Sequence, residues 1–553
     1  MGKYLVAALL VTLSVTVQGQ IHDPRALTAD PATATSPIAP VLAGLGDHSL
    51  KVTASKESQA FFNQGLRLTY GFNHSEALRA FKEAVRLDPN NAMAYWGWAL
   101  VLGPNLNLPM VPDVVPQAYA AIQQAVALKD RVSPAEQGYI EALAARYSAD
   151  PDADRAALDR AYASAMAEVA AANPEDTDAN TLYAAALMNL SPWDYWYPDG
   201  APKPNTPDIL GHLDAALERD PRHPGALHYY IHAVEAHHPR LGEPKADRLV
   251  GLMPAAGHMV HMPSHIFMRV GRYADSYEAN YLASLADERY IAACKAQGLY
   301  ALGYYPHNVH FLTWSAMYQG RSKATMAAAR RVAEKVPAGL DSNTWAAFET
   351  FLGQPLYSIV RFGLWDAADA EPQPPEGARY LNGIWHYVQG MAAVHRGKVR
   401  NAQRSLRSLQ RVRESLLDEE YYIGFTTAPV LLEIAGEVLA GEIAARRGRH
   451  EVAIGKLERA VRLQDTLPYN EPPDWYFPVR HILGAALIEA GLPAEAEVVY
   501  WEDLKNHPDN GYALFGLKQA LEAQGKTELA EMVSAKFAKA FGQADVVLTT
   551  SRF

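Results

Sequence analysis

The chain has 553 residues, of which 49% are hydrophobic and 20% charged, and its formal net charge is −11. This is the composition of a folded protein too long for one simple core, so several domains or one extended repeat array are expected. With an acidic balance and a pI near 6.0, no polyanion-binding surface is expected, and nucleic acid is excluded as a partner.

The chain opens "MGKYLVAALLVTLSVTVQGQ". Lys3 precedes an apolar-biased run from Leu5 to Val17, and Val17-Gln18-Gly19 supplies small residues at the positions a signal peptidase reads. Residues 1–19 therefore read as a secretory signal peptide, with Gln20 as the first mature residue, and the protein as exported, periplasmic or secreted. The run is too short to reach the ~20 residues that span a bilayer. No membrane span is expected in the mature protein, and no cysteine adjoins the cut to take a lipid. Residues 20–55, rich in Pro, Ala, Thr and Asp without sustained periodicity, read as a flexible leader.

From Lys56 a repeat pattern begins. Counting back from Pro89 as the last position of a 34-residue unit places Ala84, Phe81 and Ala77 at the small and aromatic positions of a second helix. Gly65 and Leu68 fall at the packing positions of the first helix, with Phe61 where tryptophan is usual. The same register returns with Pro508 as terminus, aligning Tyr500, Ala496, Leu487 and Gly484. Between these ends, turns recur at "GRYADSY" (Gly271), "GRSKATM" (Gly320), "RGKVRNAQ" (Gly397) and "RGRHEVA" (Gly448), each opening a helix-forming run. No alternating strand pattern of useful length occurs. The expected fold is all-α, a tetratricopeptide-type α-solenoid of antiparallel helix pairs. Residues 56–400 hold repeats with a histidine-rich centre at about 223–320, and 401–553 hold C-terminal repeats. The one cysteine, Cys294 in "YIAACKAQG", reads as a small core residue, so no disulfide is expected.

The histidines are the departure from plain scaffold. Ten of the nineteen lie between His223 and His310. Measured from the glycine turns, His261 and His310 lie ten residues before Gly271 and Gly320, and His258 and His307 lie thirteen before them. Taking Gly242 as the preceding turn puts His232 ten before it and His228 fourteen. Equivalent positions of successive repeats stack side by side, so His232, His261 and His310 are expected at one level and His228, His258 and His307 one turn earlier. Converging neutral imidazoles on a rigid frame make a transition-metal site, for iron, copper or zinc. Glu235, in i, i+4, i+7 series with His228 and His232, is a further ligand or a general acid/base. His265, after Pro263, is another candidate ligand. Packing histidines are the alternative.

Two other segments are candidate substrate contacts. In "SPWDYW" Asp194 stands among Trp193, Tyr195 and Trp196, either a substrate wall or an aromatic plug between repeats. Arg480, in "YNEPPDWYFPVRH", either binds a carboxylate or makes a structural salt bridge.

The segments "YGFNHSEALRAFKEAVRLDPNNAMAYWGWALVLGPNLN", "SPWDYW", "HYYIHAVE", "GHMVHMPSHIFMRVGRY", "HNVHF" and the closing "SRF" resemble a family of large exported bacterial tetratricopeptide-repeat proteins, over about Gly44 to Phe553. The resemblance implies an all-helical repeat fold and export, and it carries no catalytic assignment. Three readings stay open. One is a metal-dependent enzyme, oxidoreductase or hydrolase, with a histidine-lined concave site for a small molecule or peptide. Another is a non-enzymatic scaffold that binds a peptide or partner protein, and the third is metal storage or delivery. Among the named motifs there is no GxSxG, phosphate loop or dinucleotide fingerprint.

Overall fold

Side-chain caps and glycine turns set the helix pairs. The computed structural model describes residues 22–150, 152–336 and 342–553, so the signal peptide expected at 1–19 lies outside the described residues. The described chain divides into two units, residues 22–266 with 279–308, and residues 267–278 with 309–553. We call them units A and B.

In unit A, α1 (Lys56–Tyr70), α2 (His74–Leu87) and α3 (Ala92–Leu102) begin at Ser55, Asn73 and Asn91, whose side chains accept backbone N–H groups of the first turn. Phe81 of α2 lies between Gly65 of α1 and Gly97 of α3. A Cβ at either glycine would come within 2.7 and 2.3 Å of the ring. Unit B repeats the arrangement at the same sixteen-residue interval, with Tyr500 between Gly484 and Gly516, where a Cβ would lie 2.3 and 2.2 Å from the ring. Small residues admit the aromatic, and the aromatic fills the gap between successive pairs. The expected register at both ends is therefore observed, except that Phe62 is fully buried and Phe61 only half-buried.

Gly271, Gly320, Gly397 and Gly448, the expected turn glycines, all have φ between +69° and +87°, where a side chain would be strained. Strand structure among the described residues is confined to a two-residue pair, Tyr422–Ile423 with Thr426–Thr427. The fold is all-α, built of tetratricopeptide-type helix pairs. Position 400, expected to divide central from C-terminal repeats, falls inside the helix Val399–Glu414, which pairs with Arg379–His395. No helix among the described residues is long and apolar enough to cross a membrane.

The stretch read as a flexible leader is laid down from His22 onward along α1 and α2. Lys82 donates to the carbonyls of Ala26, Leu27 and Ala29 at 2.8–2.9 Å. Glu83 accepts from Ile38 N–H, Gln64 from Leu42 N–H, and Arg67 donates to His48 O. Polar side chains of the helices hold this segment by its backbone, an arrangement that leaves no hydrophobic period to read.

Candidate metal centre

Four helices carry the clustered histidines: α4 (Pro224–Val234), α5 (Gly257–His261), α6 (Pro263–Val270) and α8 (Tyr305–Tyr318); α7 (Tyr273–Cys294) adds a supporting residue. α4 starts at His223, whose Nδ1 accepts from Ala226 N–H, with Pro224 in the first turn. His228 and His232 then share one face at i, i+4. In unit A they form a trio with His258 of α5. A second trio joins His261, His265 and His307, each trio offering one nitrogen per ring within 4.8 Å of the others. Pro263 separates α5 from α6, yet His261 and His265 keep the four-residue spacing across the break. Five of these six imidazoles are buried.

Proton positions follow from the partners. His228 Nδ1 is 2.6 Å from Tyr70 O, a carbonyl that only accepts, so Nδ1 carries hydrogen. His232 Nδ1 lies 3.3 Å from Glu235 Oε1. His261 Nδ1 lies 2.7 Å from Asn280 Oδ1, and the Asn280 amide nitrogen donates to Ser264 Oγ, which fixes the oxygen toward His261. His265 Nδ1 lies 3.1 Å from Glu235 Oε2. A neutral imidazole has one N–H, so each of these rings presents a bare Nε2. Those bare nitrogens meet in pairs, His228 with His232 at 3.0 Å and His261 with His265 at 2.9 Å. Both ring nitrogens of His258 are buried without a hydrogen-bond partner.

Burial keeps the rings neutral. It pushes His228 and His261 down to about 4, against the acceptor bonds from Tyr70 and Asn280 that act the other way. For His232, His258, His265 and His307, burial and then neighbouring imidazoles act together, and all four lie well below the ordinary histidine value.

The surroundings are aromatic and tightly fitted. Phe72 packs against His228, His232 and His258 with ring centroids 4.4, 6.0 and 5.6 Å away, Trp193 meets His232 at 5.0 Å, and Tyr304 meets His258 at 4.7 Å. Phe72 and Trp193 both sit at positive φ, +54° and +62°, a costly conformation for a bulky residue that surrounding structure must enforce. Gly225 leaves room for Tyr70, whose ring would be 2.4 Å from a Cβ there. Gly257 leaves room for Asp287, which accepts from Tyr300 Oη at 2.8 Å and from Asn308 at 2.7 Å, while Tyr300 Oη accepts from His258 N–H.

A further group, His48, Asp178 and His223, differs in its protons. His223 Nδ1 is occupied as the cap of α4, so its hydrogen is on Nε2, 3.3 Å from Asp178 Oδ1. The same oxygen accepts from Tyr70 Oη at 2.6 Å and faces His48 Nε2 at 3.0 Å. Burial alone would raise the Asp178 carboxyl, but the His223 and His48 hydrogen bonds outweigh it and hold the group well below the carboxylate range. Nε2 of both rings thus faces one carboxylate oxygen, a contact that the two trios lack.

The expected residues therefore regroup. His228, His232, His258, His261, His265 and His307 come together, but as two trios in place of two stacked levels. Gly242 is the reason: it lies inside the helix Pro239–Leu249, and the chain reverses earlier, at 235–238. His310 joins neither trio. It belongs to unit B, where its ring lies 5.8 Å from Phe351 and lines a small cavity with Trp314, Gln354 and Tyr476. Glu235 faces the Nδ1 atoms of His232 and His265, away from the bare nitrogens. Trp193 touches the first trio, whereas Trp196 donates to Ala233 O and packs on His238. Asp194 pairs with Lys203 beside a cavity of about 210 Å³. Arg480, in unit B, donates through both terminal nitrogens to Asp465 at 2.6 and 2.8 Å, the structural salt bridge of the two readings. Tyr70, Asn280, Phe72 and Tyr304 were not legible from the sequence, since each acts through a backbone group, an amide or a ring face.

No protein-family model matches the chain, and no curated protein matches it. Among solved structures it is similar to human IFIT1 in a dimer with m7Gppp-AAAA, at 12% identity over 90% of this chain and 92% of that one, with a TM-score of 0.30. It is also similar to the APC/C hetero-tetramer Cut9–Hcn1, at 12% identity over 84% and 76%, with a TM-score of 0.31. For yeast Tom70 the figures are 10% identity over 88% and 93%, with a TM-score of 0.26. At these values no activity or partner passes to this chain, and the fold rests on the packing described above.

Proposed function

We propose that this chain is an exported metalloprotein in which two imidazole trios on a helix-pair scaffold each hold a transition-metal ion. One observation carries the reading: two pairs of histidines bring Nε2 to Nε2 at 3.0 and 2.9 Å, while the Nδ1 atoms of the same rings face the oxygens of Tyr70, Glu235 and Asn280. Facing lone pairs repel unless a cation lies between or beside them. Two nitrogens about 2.1 Å from one ion lie about 3.0 to 3.6 Å apart as the angle between them opens from about 90° to 120°, so a small parting of each pair admits the ion. The Nδ1 partners, a backbone carbonyl, an amide and a carboxylate, are the groups that orient metal-bound histidine. His258, buried with two unpartnered nitrogens, gains a role as the third ligand of its trio. This reading makes Glu235 an orienting carboxylate in place of the ligand or general base that its spacing suggested. Export rests on Lys3, the apolar run Leu5–Val17 and the small residues before Gln20.

The test is elemental analysis of the full chain from cells that export it, beside a His232→Ala/His265→Ala variant with matching helicity. Near-stoichiometric transition metal in the first and little in the second is expected. Equal metal contents would remove the reading.

A further inference from the structure

The chemistry of the two trios narrows which ion they take, an inference that rests on the metal reading above. Each trio supplies three neutral nitrogens and, among its own members, neither carboxylate nor thiolate. The carboxylate nearest them in unit A, Glu235, faces two Nδ1 atoms and contributes charge only at a distance from the Nε2 faces. Five of the six rings are buried, with His307 partly exposed, and Phe72, Trp193 and Tyr304 close against the first trio.

A cation placed in the first trio is shut off from water, and in either trio it meets three neutral nitrogens with no neutralising ligand among them. The cost of burying uncompensated charge rises steeply with that charge, so a monovalent ion is favoured over a divalent one in such surroundings. Coordination number points the same way. Zinc held by three histidines completes a tetrahedron with water or substrate, and iron sites generally recruit carboxylate oxygens. Copper(I), with a filled d shell and one positive charge, is satisfied by three nitrogens alone. Imidazole is a ligand that copper accepts. The trios adjoin each other: His258 and His261 are 5.8 Å apart by ring centroid, and His232 and His265 are 5.6 Å apart. Glu235 reaches one member of each.

We infer that the resident metal is a pair of copper ions, one per trio, taken up as copper(I). No electron transfer is needed for loading: copper(I) enters, the two paired Nε2 atoms and one nitrogen of the third ring bind it, and neutral rings release no proton.

The experiment uses the metal-depleted full chain under anaerobic conditions. It is offered equimolar copper(I), zinc(II) and iron(II), passed over a desalting column and analysed for metal per chain, with bathocuproine disulfonate as a competing copper(I) chelator. Two copper ions per chain and little zinc or iron are the expected result. His232→Ala and His265→Ala should each retain one copper, and His310→Ala, outside both trios, should retain two. Circular dichroism confirms that each variant remains helical. Retention of zinc or iron in place of copper, still abolished by His232→Ala/His265→Ala, overturns the copper assignment and leaves the metal reading standing. A single ion per chain overturns the pair. Metal uptake that ignores both histidine substitutions overturns the copper inference and the metal reading together.

Discussion

His228 and His232 aim Nε2 at Nε2 across 3.0 Å, although His228 has placed its proton toward Tyr70 O and His232 toward Glu235. On the metal reading this contact is unfavourable without an ion, and loading should relieve it. Chelation should lower the melting temperature of the loaded chain by more than 5 °C, and readdition should restore it. At free metal 1,000-fold above Kd, binding contributes about 4 kcal/mol. A melting temperature indifferent to chelator, in a protein shown to have lost its metal, would contradict this.

Glu235 offers one oxygen to His232 and the other to His265. In Glu235→Gln the amide presents one acceptor and one donor, and the donor must face an N–H. One ring is then left misoriented, and metal affinity should fall about 10–100-fold. Titration against a chromophoric chelator measures it. An unchanged affinity would mean that the carboxylate orients nothing.

Two glycines separate packing from propensity. Gly225→Ala puts a Cβ 2.4 Å from the Tyr70 ring, while Gly211 has nothing within 4 Å of the same position. The first substitution should destabilise by about 1–3 kcal/mol through forced displacement of Tyr70. The second, inside the helix Thr206–Arg219, should stabilise by up to about 1 kcal/mol. Urea unfolding of both variants checks the pair, and the same sign of effect in both would refute the account.

Acid and base act oppositely on the trio histidines of unit A and on Glu349 of unit B. In metal-free unit A, the folded values of His228 and His261, about 4, lie under the unfolded 6.5. Their stabilising contribution is present above pH 6.5 and is lost as pH falls toward 4, by up to about 1.4 kcal/mol per pH unit for each ring. In unit B, burial raises Glu349 to about 7 against hydrogen bonds from Tyr421 and Leu381. Its contribution is present below pH 4.5 and is lost as pH rises through 7. Hydrogen exchange resolved by peptide should therefore show unit A loosening first on acidification. In Glu349→Gln the weakening of unit B between pH 5 and 7 should be flattened. Unit-independent exchange across that range would count against both assignments.

Lys82 holds the early segment through three carbonyls. Lys82→Met should release it, and trypsin should then cut after Arg25 at least tenfold faster than in the parent. The buried charged hydrogen bonds being removed are worth about 1.5–3 kcal/mol each. Equal cutting rates would show that the segment is held elsewhere.

Much of the fold was legible because its determinants are local. Gly65, Phe81 and Gly97, or Gly484, Tyr500 and Gly516, announce themselves by size and interval, and the turn glycines by position. The site was legible only as a set of residues. His223 and His228 are five positions apart and chemically identical in a sequence, but one caps a helix with Nδ1 and the other presents a bare Nε2. That difference is decided by Ala226 N–H and Tyr70 O, backbone groups that carry no side-chain signature. The same limit explains the misplaced ruler at Gly242, a glycine that serves helix packing against Ile266 and Val234 where a turn was expected. His310, matched by spacing, belongs to another unit.

The carboxylate shared by His232 and His265 has one more consequence. A group that braces two nests of nitrogen cannot relax toward one without changing its hold on the other. Occupancy of the first nest therefore sets a bias on the second, and linkage makes that bias equal in both directions. A loading curve for this protein should be read as one coupled isotherm, and substitutions beside either trio should alter the steepness of filling as well as its midpoint.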